Sequence, residues 1–313
     1  MRLLFFGSGA FGLPTLQSLC KDHEVVEVIS QPDKPAGRKR VLTPTPIAQW
    51  ALEQGYSVPR VENVNTPAFV EQIRGYEADA SVVIAFGQKL GPELIDAMGK
   101  LAVNLHASLL PKYRGAAPIN WAMIDNEPMT GVSVIALAQR MDAGLIYATG
   151  STPIDPSETA GELHDRLSEL GPAAIGQVLE QLASGMLNPI EQDEPQATKA
   201  RKFTKADGTV SFDQPAALVR ARIHGLTPWP GCRVRWRKAD GEDKGLLTIK
   251  RVADEMAQQS LAPGMIDDDL RVICADGGAV KLLDLQAPGG KAMSAEDFAR
   301  GQGLSAGDRL KSL

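Results

Sequence analysis

Short apolar runs alternate with helical patterns through the first half of the chain. The apolar runs predict β-strands at residues 2–6, 25–30, 80–85, 101–105 and 131–137. The helical patterns begin at prolines and predict helices at residues 14–21, 46–54, 67–74 and 92–98. Because apolar strands separated by helices are buried on both faces, this order predicts an α/β fold with a mostly parallel, Rossmann-like sheet.

The pattern changes in the second half. A long helical pattern at residues 157–184 is interrupted by Gly171 and Pro172, which predicts two helices. Residues 188–204 carry prolines and scattered charges typical of a linker. Beyond them, a helix at residues 214–224 with Asp213 as its N-cap lies among short strands predicted at residues 208–212, 233–236, 246–252, 270–274 and 280–286. We therefore expect domains at 1–187 and 205–313, the second being a small barrel of the oligonucleotide-binding type or another compact β domain.

The composition is that of an ordinary water-soluble protein. Hydrophobic residues make up 43% and charged residues 23% of the 313 residues. No run approaches the roughly 20 apolar residues of a membrane helix, and the N-terminus lacks a signal-peptide pattern, so we expect a cytoplasmic protein. Three cysteines, Cys20, Cys232 and Cys274, lie too far apart for a zinc site or a disulfide framework, and we expect no metal.

The charge is distributed unevenly. Residues 199–251 contain thirteen Lys and Arg against five Asp and Glu, a net charge of +8, although the whole chain carries -5. A basic segment on an acidic protein can attract phosphates locally, or its charges can simply solvate the faces of strands.

A glycine-rich turn follows the first predicted strand. Gly7, Gly9 and Gly12 form the pattern G-x-G-x-x-G, and Asp33 follows the second strand. In dinucleotide-binding domains such glycines let the backbone approach a pyrophosphate, so an NAD(P)-dependent oxidoreductase is one alternative. Glycine also relieves tight strand-to-helix turns on steric grounds, and Asp33 lies between Pro32 and Lys34 in a loop. We favour the steric explanation and expect no NAD.

The clearest chemistry lies at Asn104 and His106. They are two residues apart at the end of an apolar strand, so their side chains share one face of the sheet. An amide there can donate to a developing oxyanion, and an imidazole can act as acid, base or second donor. Asp142 follows the strand at residues 131–137, where a carboxylate can orient that imidazole.

An ordered set of motifs carries a family resemblance. Asn104-x-His106 is followed by Ser108-Leu109-Leu110-Pro111, Arg114-Gly115-Ala116-Ala117-Pro118-Ile119 and Asp142-Ala143-Gly144. This set closely resembles the 10-formyltetrahydrofolate-dependent formyltransferases. The resemblance implies that Asn104, His106 and Asp142 are the catalytic triad and that the C-terminal domain is a barrel. It also implies a folate pocket formed by Phe86, Gly87, Gln88, Leu90, Ser108, Leu109, Leu110 and Pro111.

A basic loop indicates which branch of the family this chain resembles. Residues 31–38, followed by Lys39 and Arg40, look like the loop with which the tRNA-formylating members contact the acceptor arm. Independently, four basic residues against one acid at residues 33–40 suit phosphate contact. Residues 220–231 are similar to the stretch that opens the C-terminal barrel of these members. The residues we expect to contact tRNA are Lys34, Arg38, Lys39, Arg40, Lys202, Lys205, Arg220, Arg233 and Arg235.

The resemblance implies an enzyme that moves a formyl group from 10-formyltetrahydrofolate, its cosubstrate, to the amino group of methionyl initiator tRNA. We expect the enzyme to be a monomer. An amino sugar nucleotide is the alternative acceptor, disfavoured by the basic loop and the length of the second domain. Three positions depart from the family pattern: Ser8 and Gly9 stand where Thr and Pro are usual, and Leu145 stands where an acid is often found.

Overall fold

The computed structural model describes residues 1–37, 40–258 and 260–313. Up to residue 184 the elements are β1 Arg2–Gly7, α1 Leu13–Asp22, β2 Glu24–Ile29, β3 Lys34–Ala36, β4 Val41–Thr43, α2 Pro46–Glu53, α3 Pro67–Gly75, β5 Ala80–Ile84, α4 Pro92–Ala97, β6 Leu101–His106, β7 Arg114–Gly115, α5 Pro118–Ile124, β8 Met129–Ala136, β9 Ile146–Pro153, α6 Ala160–Ser168 and α7 Gly171–Ser184. From residue 199 they are β10 Lys199–Ala200, α8 Ala216–Gly225, β11 Cys232–Arg237, β12 Asp243–Met256, β13 Arg271–Ile273, β14 Gly278–Gln286, β15 Ala292–Ser294, α9 Ala295–Gln302 and β16 Arg309–Lys311.

These elements form two compact units. The first comprises Met1–Gly115, Gly131–Thr152 and His164–Lys199, and the second comprises Ala116–Thr130, Pro153–Leu163 and Ala200–Leu313. No helix among the described residues is long and apolar enough to cross a membrane.

The first unit is built on a six-stranded sheet in the order β2-β1-β5-β6-β8-β9. β1 pairs in parallel with β2 and β5, and β5 pairs in parallel with β6, whereas β8 is antiparallel to β6. All five residues of β5 are buried, as expected for an apolar strand covered on both faces. The predicted α/β class with a mostly parallel sheet is confirmed.

Several strands of this unit are not predicted from the sequence, among them β9, β3 and β4. β9 contains Gly150, Ser151 and Thr152 and therefore has no apolar run. The hairpin of β3 and β4 is short, and its strands are exposed. By contrast, the break at Gly171 and Pro172 is predicted correctly, because α7 begins there with Pro172 in its first turn.

The second unit contains a sheet in the order β13-β14-β12-β11-β16, with β15 paired to β14, and it curls into a nearly closed barrel. Val234, Ile249 and Leu282 are among the buried residues of its core. Helix α5 also belongs to this unit, where the side-chain amide of Asn120 donates to the carbonyl of Gly225 at 2.7 Å. The barrel expected from the resemblance is confirmed.

Two local predictions in this unit are wrong. Residues 208–212 form no strand, and Thr209 makes only an isolated bridge to Arg233. Asp213 does not cap α8; the N–H of Ala216, at the start of α8, donates instead to the Asp276 carboxylate at 3.3 Å. Asp276 lies 60 residues along the chain from Ala216, so no local pattern points to it.

His224, near the end of α8, is a buried histidine of the second unit. Its Nδ1–H donates to the carbonyl of Pro156 at 3.1 Å, and its Nε2 accepts from the N–H of Val252 at 3.1 Å. Burial, with a smaller contribution from the positive charge of Arg220, lowers the pKa of His224 to about 4. The imidazole is therefore neutral in the folded protein at neutral pH.

We expect the free energy of unfolding to fall as the pH is lowered from 6.5 to about 4. In this window the unfolded chain takes up a proton at position 224 that the folded chain does not accept, because the folded-state pKa is the lower one. Denaturant unfolding of wild type and His224→Gln at steps across the window measures the effect. Equal pH slopes for the two proteins would contradict this assignment.

Candidate active site

The candidate site lies where β1, β2, β5 and β6 end. Because these strands are parallel, their carboxyl ends meet at one edge of the sheet. After β1, Ser8 donates its hydroxyl to the carbonyl of Phe86 at 3.1 Å. After β2, the side-chain amide of Gln31 donates to the same carbonyl at 2.7 Å. The loops after three strands are thus bonded together, and the fourth strand ends at His106.

Packing explains the glycine-rich turn after β1. A Cβ on Gly7 would lie 2.5 Å from the ring of Phe5 and 3.2 Å from the carbonyl oxygen of Ile84. A Cβ on Gly12 would lie 3.2 Å from the same ring. The close approach of β5 and of the Phe5 ring therefore accounts for these glycines without a bound dinucleotide.

The imidazole of His106 is buried and is fixed through both of its nitrogens. Nε2 lies 2.9 Å from the carbonyl oxygen of Tyr113. Because a carbonyl can only accept, Nε2 carries the proton in this hydrogen bond. Nδ1 faces Oδ2 of Asp142 at 3.6 Å, and the two side chains are 7% and 15% exposed. The structure thus brings together two of the three predicted catalytic residues.

Asn104 supplies a free amide on the same strand. It is half-buried, two residues before His106 in β6. Within the described part of the chain its side-chain amide has no hydrogen-bond partner. A half-buried amide with unused donors at the end of a strand is available to a ligand that accepts hydrogen bonds.

The loop that carries Asp142 is tightly held. Asp142 itself has a φ of +55°, which is rare for a residue with a side chain. Its Oδ2 accepts the N–H of Gly115 at 2.9 Å. Two residues on, a Cβ at Gly144 would lie 1.9 Å from the carbonyl oxygen of Ala136, so this position has no room for a side chain.

Replacing Gly144 with alanine should destabilise the protein by about 1–3 kcal/mol, the usual result of forcing an atom into a filled space. The measurement is denaturant unfolding. Gly176→Ala in α7 is the matched control, because a Cβ there meets nothing within 4 Å. In a helix this second change should stabilise by up to about 1 kcal/mol. Equal stability of the two variants would contradict the close contact at Gly144.

Comparisons with known proteins identify the family. A family described as formyl transferase matches residues 1–179, and the formyl transferase C-terminal domain matches residues 202–303. A methionyl-tRNA formyltransferase of Solibacter usitatus (strain Ellin6076) is 38% identical over 312 residues, covering 99% of this chain and 98% of the relative. One from Bacillus licheniformis is 35% identical over 314 residues, with 99% and 98% covered.

The chain belongs to the methionyl-tRNA formyltransferase family. Solved structures share its fold. WlaRD, a sugar 3N-formyl transferase solved with dTDP and 5-N-formyl-THF, has a TM-score of 0.67 at 15% identity, covering 90% of this chain and 97% of its own. HypX from Aquifex aeolicus, in complex with tetrahydrofolic acid, has a TM-score of 0.61 at 15% identity, covering 96% and 47%. Family membership confirms the predicted formyltransferase, and the oxidoreductase alternative is not retained.

Two of the folate residues expected from the family have side chains that are used inside the protein. The ring of Phe86 is buried edge-on against Phe6, with 5.5 Å between centroids. The amide of Gln88 donates to the carbonyl of Val61 at 2.6 Å and accepts the N–H of Val64 at 3.3 Å. Gly87 is exposed and Leu90 is half-buried. The part of this loop open to a ligand is therefore its backbone around Gly87.

The second folate group forms a constrained loop after β6. Ser108 is fully buried, and its hydroxyl donates to the carbonyl of Lys112 at 2.7 Å. Its own carbonyl accepts the hydroxyl of Ser133 at 2.8 Å. The Leu110–Pro111 peptide is cis, and Leu109 and Pro111 are half-buried. These residues immediately follow His106, as the sequence predicts.

The basic loop of the first unit is exposed where it is described. Lys34 lies in β3, and its Nζ donates to Oε1 of Gln31 at 2.5 Å. Arg40 is exposed, as are the apolar side chains of Val41 and Leu42 that follow it. Arg38 and Lys39, also predicted to contact tRNA, lie outside the described residues.

The predicted tRNA residues of the second unit differ in exposure. Lys202 and Lys205 are exposed, Arg233 is half-buried, and Arg235 is exposed beside Asp243 at 2.7 Å. Arg220 is different: it is buried, and its guanidinium lies 2.8 Å from Asp254 and donates to Asn126 and Pro156. Its charge is used within the protein, so the predicted tRNA contact of Arg220 is not retained.

Several residues around the site are not predicted from the sequence. Gln192, Glu194 and Thr198 lie in the segment predicted as a linker, yet all three bond to the loops that surround His106. Arg114 is recognised as part of a motif, but its partners are not.

No group of three or more His, Cys, Asp or Glu in the described residues is placed to hold a metal ion.

Proposed function

We propose that this chain transfers the formyl group of 10-formyltetrahydrofolate to the α-amino group of methionyl initiator tRNA, in the cytoplasm. The observation that carries the proposal is the arrangement at the end of β6. There, a buried imidazole is fixed by a carbonyl and faces a carboxylate, two residues after a free amide. Relatives named for this reaction match nearly the whole chain.

Asn104 acts on the charge that develops during transfer. The methionyl amine attacks the formyl carbon, a C–N bond forms, and the formyl oxygen becomes an oxyanion. The free amide of Asn104 donates to this oxygen and stabilises the charge more strongly in the transition state than in the substrate.

His106 handles the proton. Because its Nε2–H is bonded to Tyr113, Nδ1 is the atom that takes up the proton released by the amine. Asp142, 3.6 Å from Nδ1, stabilises the positive charge on the ring. The protonated Nδ1 is a second donor to the oxyanion. The proton then passes to N10 of the folate, directly or through water, as the bond between N10 and the formyl carbon breaks.

The two substrates use different parts of the chain in this proposal. Residues 1–187 carry the reacting groups, and residues 188–204 connect the two domains and also bond to the loops around His106. Residues 205–313 contribute to tRNA binding. We propose that the backbone around Gly87 and the loop from Ser108 to Pro111 hold the folate. Lys34, Arg38, Lys39 and Arg40 contact the tRNA, as do Lys202, Lys205, Arg233 and Arg235.

Changing both Lys202 and Lys205 to glutamine should weaken tRNA binding and make it less sensitive to salt. Each lost phosphate contact should reduce the slope of log affinity against log salt by roughly 1. Filter binding of initiator tRNA across a salt series measures this. Lys291→Gln, at an exposed position of the same unit, is the matched control. If the double variant and the control show the wild-type slope, these lysines do not contact tRNA.

A comparison of acceptors tests the proposal. The enzyme is offered labelled 10-formyltetrahydrofolate with methionyl initiator tRNA, methionyl elongator tRNA or an amino sugar nucleotide. We expect transfer to the initiator, and little to the other two. Efficient transfer to the sugar alone would make the acceptor assignment wrong while keeping the chemistry. No transfer to any acceptor by folded enzyme would overturn both.

A further inference from the structure

The segment of residues 192–198 bonds to Tyr113 and Asp142, the two residues that face the nitrogens of the His106 ring. Tyr113 and Asp142 have φ angles of +63° and +55°. Residues with side chains occupy this region only when the surrounding structure holds them there. Gln192 bonds to the backbone of Asp142, and Thr198 bonds to that of Tyr113.

Gln192 holds the loop that carries Asp142. Its Nε2 donates to the carbonyls of Asp142 at 2.9 Å and Gly144 at 2.7 Å. Its Oε1 accepts two N–H groups of the Arg114 guanidinium, at 2.9 and 2.7 Å. Both donors and both lone pairs of this amide are therefore used, which fixes its orientation.

A bridging carboxylate holds Arg114 in turn. Oε1 of Glu194 accepts from buried Arg114 at 2.9 Å, and Oε2 accepts from Arg140, just before Asp142 in the chain, at 3.0 Å. Arg114, followed by Arg140, lowers the pKa of Glu194 to about 2. The carboxylate is consequently ionised at neutral pH, where it bonds to both Arg114 and Arg140.

Thr198 fixes Tyr113, whose carbonyl oxygen bonds to Nε2 of the His106 ring. Its hydroxyl accepts the N–H of Tyr113 at 2.8 Å, and its carbonyl accepts the N–H of Arg114 at 2.9 Å. The Tyr113 carbonyl, which receives Nε2–H of His106, is thereby fixed through its own residue. Both partners of the imidazole thus depend on side chains from residues 192–198.

We propose that Gln192 and Thr198 are positioning residues for His106. They hold the Asp142 carboxylate and the Tyr113 carbonyl where these orient the ring, and so set how readily Nδ1 takes up and passes on the proton. The inference rests on the proposed function. A role in folding alone predicts a loss of folded protein with normal turnover of what remains. A positioning role predicts slow turnover by fully folded enzyme.

Two near-isosteric changes separate these roles. Gln192→Glu replaces the N–H donors facing the two carbonyls but keeps an acceptor for Arg114. Thr198→Val removes the hydroxyl that accepts from Tyr113. We expect each to lower kcat by on the order of 10- to 100-fold, as displacement of a reacting group does, with little change in KM for either substrate. Thr198→Ser retains the hydroxyl and should restore a near-normal rate.

Two controls test whether the loss of turnover in Gln192→Glu arises through Asp142. Gln196→Ala changes an exposed residue of the same segment whose amide bonds to Asp193 at 2.6 Å, and it should keep the wild-type rate. In an Asp142→Asn background, Gln192→Glu should add little, because it acts through Asp142. The pH–rate profile of Gln192→Glu should also be displaced from that of wild type. If Gln192→Glu does not fold, the valine and serine variants at position 198 give the same comparison.

The outcomes are distinguishable from those of the proposed function. Inactive wild type with every acceptor contradicts the function. Active wild type, together with folded Gln192→Glu and Thr198→Val variants that turn over normally, contradicts the positioning role alone. So do losses of activity that match losses of folded protein.

Discussion

Replacing Asn104 with alanine is expected to slow formyl transfer on the order of 10²–10³-fold, the loss that follows removal of one oxyanion donor. The amide has no partner among the described residues, so its donors are free for the formyl oxygen. Since the hydrogen bond strengthens only as charge develops, kcat and kcat/KM should fall together. Steady-state kinetics with methionyl initiator tRNA and varied folate measure both.

The stability of the Asn104→Ala variant serves as the control. Because no hydrogen bond inside the described protein is lost, Asn104→Ala should unfold at nearly the wild-type temperature. Asn104→Asp, which has the same shape but no N–H donor and a negative charge, should be at least as slow. An alanine variant with wild-type turnover would remove Asn104 from the mechanism.

Replacing His106 with alanine should lower the single-turnover rate by about 10²–10⁴-fold, the range that general acid–base groups contribute. The change removes the nitrogen that we propose takes the amine proton. It also leaves the Tyr113 carbonyl and the Asp142 carboxylate without the ring they orient. Rapid mixing of enzyme, folate and charged tRNA measures the transfer step without product release.

His164 is the matched control histidine. Its Nδ1 also lies beside a carboxylate, 2.9 Å from Asp165, but the side chain is 36% exposed. It lies in α6, where its ring packs edge-on against Phe11 with 5.3 Å between centroids. His164→Ala should keep a rate close to that of wild type. If the two histidine variants lose activity equally, the loss does not report proton transfer at His106.

The sequence places the two proposed catalytic residues of β6 together because local geometry determines it. Two polar residues two apart at the end of an apolar strand must share a face, so Asn104 and His106 follow from β6 alone. Asp142 follows from the strand before it, together with the family motif. Apolar runs likewise predict the buried strand β5, whereas β9, with its Gly150 and Ser151, leaves no such pattern.

The rest depends on contacts between distant parts of the chain. Gln192 bonds to Asp142, 50 residues away, and Thr198 to Tyr113, 85 residues away, so local composition marks their segment as a linker. Arg220 belongs to a basic run and is expected on the surface. In the structure it is buried in the second unit, where it forms an ion pair with Asp254. A count of charged residues in the sequence does not show which of them form ion pairs inside the protein.

The most direct measurement is single-turnover transfer of labelled formyl from 10-formyltetrahydrofolate to methionyl initiator tRNA, by wild type and by Asn104→Ala, His106→Ala and Asp142→Asn. We predict that the label appears on the methionine amino group with wild type, and that all three folded variants are strongly slowed. Folded wild type that leaves the methionine unlabelled, or triad variants that transfer at the wild-type rate, would contradict the account.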